Sequence, residues 1–117
     1  MIVDASQSLG ACSLDLGRVR PDFLISVGYK WLLGPYGLGY LYVAPKWRAS
    51  GMPLEQSWLT RAGSEDFARL VDYTDEYRVG ARRFDAGEFP QFVSVPMAIA
   101  ALRQNEILPR SAPLHAP

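Results

Sequence analysis

Apolar residues fall along this chain in short runs separated by glycine, proline and polar turns. Met1 to Asp4 reads as a short buried strand, followed by a turn or single helical turn from Ser6 to Gly10. Asp15 to Val19 predicts a short helix closed by Pro21, because proline disfavours helix in the residue before it. Phe23 to Val27 is apolar almost throughout, as a strand covered on both faces of a sheet is. Gly34 to Gly39 predicts a turn, and Leu38 to Val43 the next strand, placed to hairpin back on its predecessor. Pro45 opens a helix that Gly51-Met-Pro53 stops.

From Leu54 to Phe92 the periodicity is weak, and polar residues are mixed with Trp58, Tyr73, Tyr77 and Phe84. A connection that long, if unstructured, argues for a functional segment. Ser94 to Gln104 predicts a helix, with Ser94 as N-cap, Pro96 in the first turn, and alanine and leucine following. Residues 108–117 are rich in proline and alanine and predict a disordered tail. A strand pattern starting at Met1 without lead-in, and this tail, are expected to be cuts through a larger domain.

Composition narrows the class. With 117 residues, 49% hydrophobic and 21% charged, the chain reads as one soluble globular domain over 1–107 and the tail 108–117. Twelve basic residues balance twelve acidic ones, so no electrostatic argument favours nucleic acid or an anionic membrane. No apolar stretch reaches about 18 residues and no basic-then-apolar leader pattern is present, so neither membrane insertion nor export is expected. The single cysteine, Cys12, excludes an internal disulfide and fits a reducing cytoplasm. No His/Cys/Asp spacing suggests a metal site.

The chemistry centres on Lys30, set between an apolar strand and a glycine-rich turn. Bulky apolar neighbours disfavour an ammonium ion, which is how an amine becomes a nucleophile toward carbonyls. Asp4 ends a neighbouring apolar strand, and Gln7 follows three residues later at a turn. A pyridine-based cofactor needs a lysine for its aldehyde, an acid for its ring nitrogen and a donor for its ring oxygen. The alternative is an Asp-x-x-Gln turn with a solvated lysine. Gly34-Pro-Tyr-Gly37-Leu-Gly39 is read as the turn that keeps Lys30 rigid, with an anion cradle or nucleotide site as weaker alternatives, since no strand-turn-helix order follows. Arg82 and Arg83 either bind a carboxylate bidentately or are solvated or salt-bridged.

The stretch Val3-Asp-Ala-Ser-Gln7-Ser-Leu-Gly, with Asp22 through Lys30-Trp-Leu-Leu-Gly-Pro-Tyr-Gly-Leu-Gly-Tyr-Leu-Tyr-Val43, resembles the core of the class V aminotransferases. That family includes cysteine desulfurases, kynureninases and isopenicillin N epimerase-like proteins. The resemblance implies an α/β fragment of the fold type I, aspartate aminotransferase-like large domain, with a mixed, mostly parallel sheet and pyridoxal 5'-phosphate as cofactor. It makes Lys30 the Schiff-base residue and proton carrier, pairs Asp4 with the pyridinium nitrogen, and sets Gln7 on the phenolic oxygen. It further implies a small-molecule amino-acid substrate and, for full-length relatives, a homodimer.

Departures from the family pattern are specific. The residue before the lysine is usually a histidine that helps hold the phosphate; here it is Tyr29, whose phenol still donates a hydrogen bond. Val27 stands where many members have serine, and Ser26, one residue off, is expected to point to the opposite face. Gly80 to Gln91 is similar to the segment ending in a glycine-threonine pair near the phosphate, but Glu88 replaces the threonine. Cys12 is far from the loop expected to carry a desulfurase nucleophile, and His115 lies in the tail. The Tyr29-Lys30-Trp31 context leans toward the epimerase-like branch. The family's upstream phosphate-binding segment and C-terminal small domain have no counterpart here, so a truncated, catalytically inert fragment acting at most as an interaction module is the alternative expectation.

Overall fold

The computed structural model describes residues 1–87 and 91–108. Strands β1 (Ile2–Asp4) and β2 (Phe23–Val27) lie parallel, with Ile2 opposite Phe23, Val3 opposite Leu24 and Asp4 opposite Ile25. The Ala5 amide carries the ladder one step further, donating to the Ile25 carbonyl at 2.8 Å. A parallel pair needs a crossover, and helix α1 (Leu16–Val19) lies within it. Asp15 caps α1 by accepting from the Gly17 and Arg18 amides, and Arg20 ends it in a left-handed conformation just ahead of Pro21. Strand β3 (Gly39–Val43) borders β2 on its other side in antiparallel sense, giving a mixed sheet of order β1-β2-β3. The Gly28 amide closes that hairpin on the Leu38 carbonyl at 2.8 Å.

The described residues form two compact units, one of residues 1–42 and 91–108, the other of residues 43–87. In the first, Leu24 and Ser26 are buried, and Leu24 lines one cavity together with Tyr42 of β3 and Leu102 and Asn105 of α3 (Ser94–Ile107). That helix therefore covers this face of the sheet, with Ala98, Ala101 and Asn105 as its buried stripe. Ile25, one step along β2, is 43% exposed, so the opposite face is open among the described residues. The apolar run of β2 predicted cover on both faces. Within this unit α3 supplies cover on one.

Helix α3 also departs from its predicted start. Ser94 is its first residue rather than its cap, and no side chain caps it. The preceding backbone already supplies acceptors, because the Val95 amide reaches the Gln91 carbonyl at 3.0 Å and Met97 reaches Val93 at 3.4 Å. The helix passes Gln104 and ends at Ile107, with Leu108 extended before Pro109, as a residue ahead of proline prefers. Beyond Leu108 the predicted tail, His115 included, lies outside the described residues.

The second unit opens with α2 (Pro45–Ser50), proline at its first turn and Gly51 at its end, as predicted. The weakly periodic segment after it holds three short 3-10 turns, Trp58–Thr60, Phe67–Arg69 and Gly80–Phe84. Side chains tie it together. Arg61 donates to the Asp75 carbonyl and to Gln56 Oε1, both at 2.7 Å, and lies over the Tyr77 ring. Tyr77 donates to the same Gln56 oxygen at 2.8 Å. Among the described residues, no helix is long and apolar enough to cross a membrane.

Candidate active site

Because β1 and β2 run parallel, their carboxyl ends open on one edge of the sheet, where ligands of open α/β sheets bind. Asp4 ends β1 there. Its Oδ1 accepts from the Ser6 amide at 2.9 Å, a local Asx turn. The Ser6 hydroxyl accepts from the Val27 amide at 3.2 Å, stitching the ends of the two strands together. Hydrogen bonding to the Ser6 side chain, then to its amide, holds the Asp4 carboxyl below its ordinary value near 3.8, and the positive charge of Lys30 adds to the lowering. Asp4 and the Lys30 turn thus stand at the carboxyl ends of adjacent parallel strands.

Lys30 itself is half-buried in a turn whose backbone closes on both sides of it. The Leu33 amide donates to the Lys30 carbonyl at 3.0 Å, and the Gly34 amide to Gly28 at 2.8 Å. Leu33 adopts a φ of 57°, and the Trp31 carbonyl accepts from Asn105 Nδ2 at 2.6 Å. Gln7 stands exposed in the turn after β1, where the Ser8 and Leu9 amides both reach the Ala5 carbonyl. The Tyr29 ring stacks on Tyr36, centroids 4.3 Å apart and planes 17° off parallel. Ser26 is buried on the covered face and bonds the Val27 carbonyl, as the strand alternation predicts. The Gly34 and Gly28 amides are spent on the turn and hairpin, which supports the structural reading of the Gly34–Gly39 segment.

The Gly80–Gly87 segment carries different partners from those expected. The Gly87 amide donates to Glu55 Oε1 at 2.7 Å, and Ser57 Oγ reaches the Gly87 carbonyl at 3.5 Å. Glu88 lies outside the described residues. Arg83 Nη1 donates to the Ala49 and Gly51 carbonyls at 2.9 and 3.2 Å, at the C-terminal end of α2, so this nitrogen is taken by backbone. Arg82 is exposed and acts on Asp85. Replacing Arg83 with methionine orphans those carbonyls. The expected result is a loss of about 1–3 kcal/mol in urea unfolding with no change in the behaviour of Lys30.

Sequence reasoning missed Ser6, Asn105 and Glu55. Ser6 had a readable signal, the Asp-x-Ser order of an Asx turn; Glu55 and Asn105 act across 32 and 74 residues and had none. The donor set suits a pyridine ring carrying an aldehyde. Asp4 offers a carboxylate, Lys30 a half-buried amine after the neighbouring strand, and Gln7 an exposed amide. No cluster of metal-binding side chains occurs among the described residues.

The mixed α/β sheet is a fragment of the fold type I, pyridoxal-phosphate-dependent transferase architecture. The apo cysteine desulfurase of Thermococcus onnurineus NA1 is similar to the chain in fold, with a TM-score of 0.67 and 29% identity over 91% of this chain and 25% of that one. The profile of the Aminotransferase class-V family matches residues 1–104, and the chain belongs to that family. An isopenicillin N epimerase of Streptomyces clavuligerus is 40% identical over 57 residues, covering 49% of this chain and 14% of that protein. A kynureninase of Deinococcus radiodurans is 36% identical over 100 residues, covering 85% of this chain and 23% of that protein. The chain therefore spans less than a quarter of the length of either curated relative. The family's cofactor is pyridoxal phosphate.

Proposed function

We propose that this chain is the lysine-bearing part of a pyridoxal-phosphate-dependent enzyme acting on an amino acid, with transaminase, lyase or epimerase-type chemistry. The observation that carries the reading is the placement of Asp4 and the Lys30 turn at the carboxyl ends of adjacent parallel strands. When bound, pyridoxal phosphate supplies an aldehyde for an amine and a ring that draws electrons from the substrate. Lys30 is the amine that holds that aldehyde, and the base that moves the proton at the substrate α-carbon. Asp4, whose carboxyl Ser6 holds below its ordinary value, would keep a proton on the ring nitrogen. Gln7 donates to the ring oxygen and Tyr29 to the phosphate. The same reading puts the protein in the cytoplasm as part of a dimer.

The chain has only one other lysine, Lys46, which serves as an internal control. Mixing the chain with pyridoxal phosphate and reducing with borohydride is expected to label Lys30 in preference to Lys46, as read by peptide mass mapping. Lys30→Ala is expected to lose that label. Equal labelling of both lysines in the unaltered chain sinks the assignment.

A second reading, an inert piece that works only when completed by further polypeptide, draws support from the open Ile25 face and the short span of the relatives covered. It predicts no preferential label on Lys30 in the isolated chain.

A further inference from the structure

The peptide immediately after Lys30 is held from outside its own turn. The Trp31 carbonyl accepts the Asn105 side-chain amide at 2.6 Å, a contact reaching 74 residues along the chain to α3. Asn105 is 7% exposed in the last turn of α3, and a buried amide is costly unless bonded. Gly10 lies against the same carbonyl, so close that a β-carbon there would sit 2.5 Å from the oxygen. Leu32, the next residue, is buried and lines one cavity with Leu102 and Asn105. Leu33 then takes a left-handed conformation, which a side chain disfavours and which persists only when its surroundings impose it.

We infer that Asn105 is a positioning residue for Lys30: by fixing the Trp31 carbonyl against α3, it holds the turn that aims the lysine amine. The turn's own hydrogen bonds, Leu33 to Lys30 and Gly34 to Gly28, close the loop on the end of β2 but do not attach it to α3. The Asn105 amide attaches it by a polar contact of fixed direction, where the apolar packing of Leu32 has none. A lysine on four rotatable carbons gains precision mainly from the rigidity of the backbone beneath it. The role of Lys30 is taken from the function proposed above, whereas the anchoring of the turn is independent of it.

The test compares Asn105→Ala with Asn105→Asp, nearly isosteric but lacking an N–H donor. At neutral pH both variants are expected to lower amide-exchange protection at Leu33 and Gly34 about tenfold, the scale of one lost buried hydrogen bond. The Ala5 amide, in the β1–β2 ladder, is expected to keep its protection. In Asn105→Asp, acidification protonates the introduced carboxyl and returns an O–H donor to the Trp31 carbonyl. Protection of the turn is then expected to recover, which Asn105→Ala cannot do at any pH. Borohydride trapping of pyridoxal phosphate on Lys30, measured against Lys46, is expected to fall about tenfold in both variants at neutral pH. Unchanged exchange at Leu33 and Gly34, or equal loss in the ladder and the turn of both variants, overturns the inference. Should Asn105→Ala fail to fold, the acid recovery of Asn105→Asp is read within a single protein and decides the matter. Absence of label on Lys30 in the unaltered chain removes the proposed cofactor role while the exchange data still judge the anchor.

Discussion

Gly10→Ala is expected to cost the first unit about 2–5 kcal/mol, a large part of the stability of a domain this size. Two effects combine. Gly10 has a φ of +96°, which an L side chain adopts only with strain, and a β-carbon there would meet the Trp31 carbonyl oxygen at 2.5 Å and its carbon at 2.8 Å. Those are backbone atoms, so no rotamer change relieves the overlap. The Trp31 peptide would have to retreat, taking the Lys30 turn and the Asn105 hydrogen bond with it. Gly37→Ala is the control. Its φ of +82° is also unfavourable, but nothing lies within 4 Å of its β-carbon position, so only the conformational term of about 1–2 kcal/mol remains. Urea unfolding followed by tryptophan fluorescence measures both. Equal losses for the two variants would mean that the contact with Trp31 contributes nothing.

Legibility in the sequence followed the range of the interactions. The strands and α1 were readable because their causes are local: apolar runs between turn residues, an aspartate cap, and proline after the helix. The same locality placed Asp4 and Lys30 at strand ends, and parallel pairing then set them on one edge. Ser94 was misassigned as a cap because a serine ahead of an alanine-rich run looks alike whether or not earlier carbonyls satisfy the first amides. The order of residues 54–87 was invisible, since it rests on Gln56, Arg61 and Tyr77 meeting across the loop rather than on any periodicity. For Arg83 the sequence left two roles open, and the backbone carbonyls it bonds represent a third. Asn105 was out of reach for the same reason, its partner lying at the other end of the chain.

Asp4→Asn is expected to separate holding the cofactor from using it. In the proposed function Lys30 supplies the bond that borohydride fixes, so labelling should persist in this variant. Asparagine can hydrogen-bond a ring nitrogen but carries no charge to keep it protonated. Deuterium uptake at the α-carbon of an added amino acid, followed by NMR, should therefore fall about a hundredfold or more, the scale seen when one preorganised electrostatic partner is removed. The pH dependence carries a matching sign. The Asp4 carboxyl sits below its ordinary value, so it is ionised throughout the range above about pH 4, and its interaction with Ser6 is lost only as pH falls through that lowered value. Ser6→Ala removes the largest cause of the lowering and should move the Asp4 titration upward in an NMR carboxyl titration. Lys30→Ala, removing a smaller cause, should move it less. Undiminished deuterium uptake in Asp4→Asn would show that this carboxylate does not serve the ring nitrogen, whatever its distance from the lysine.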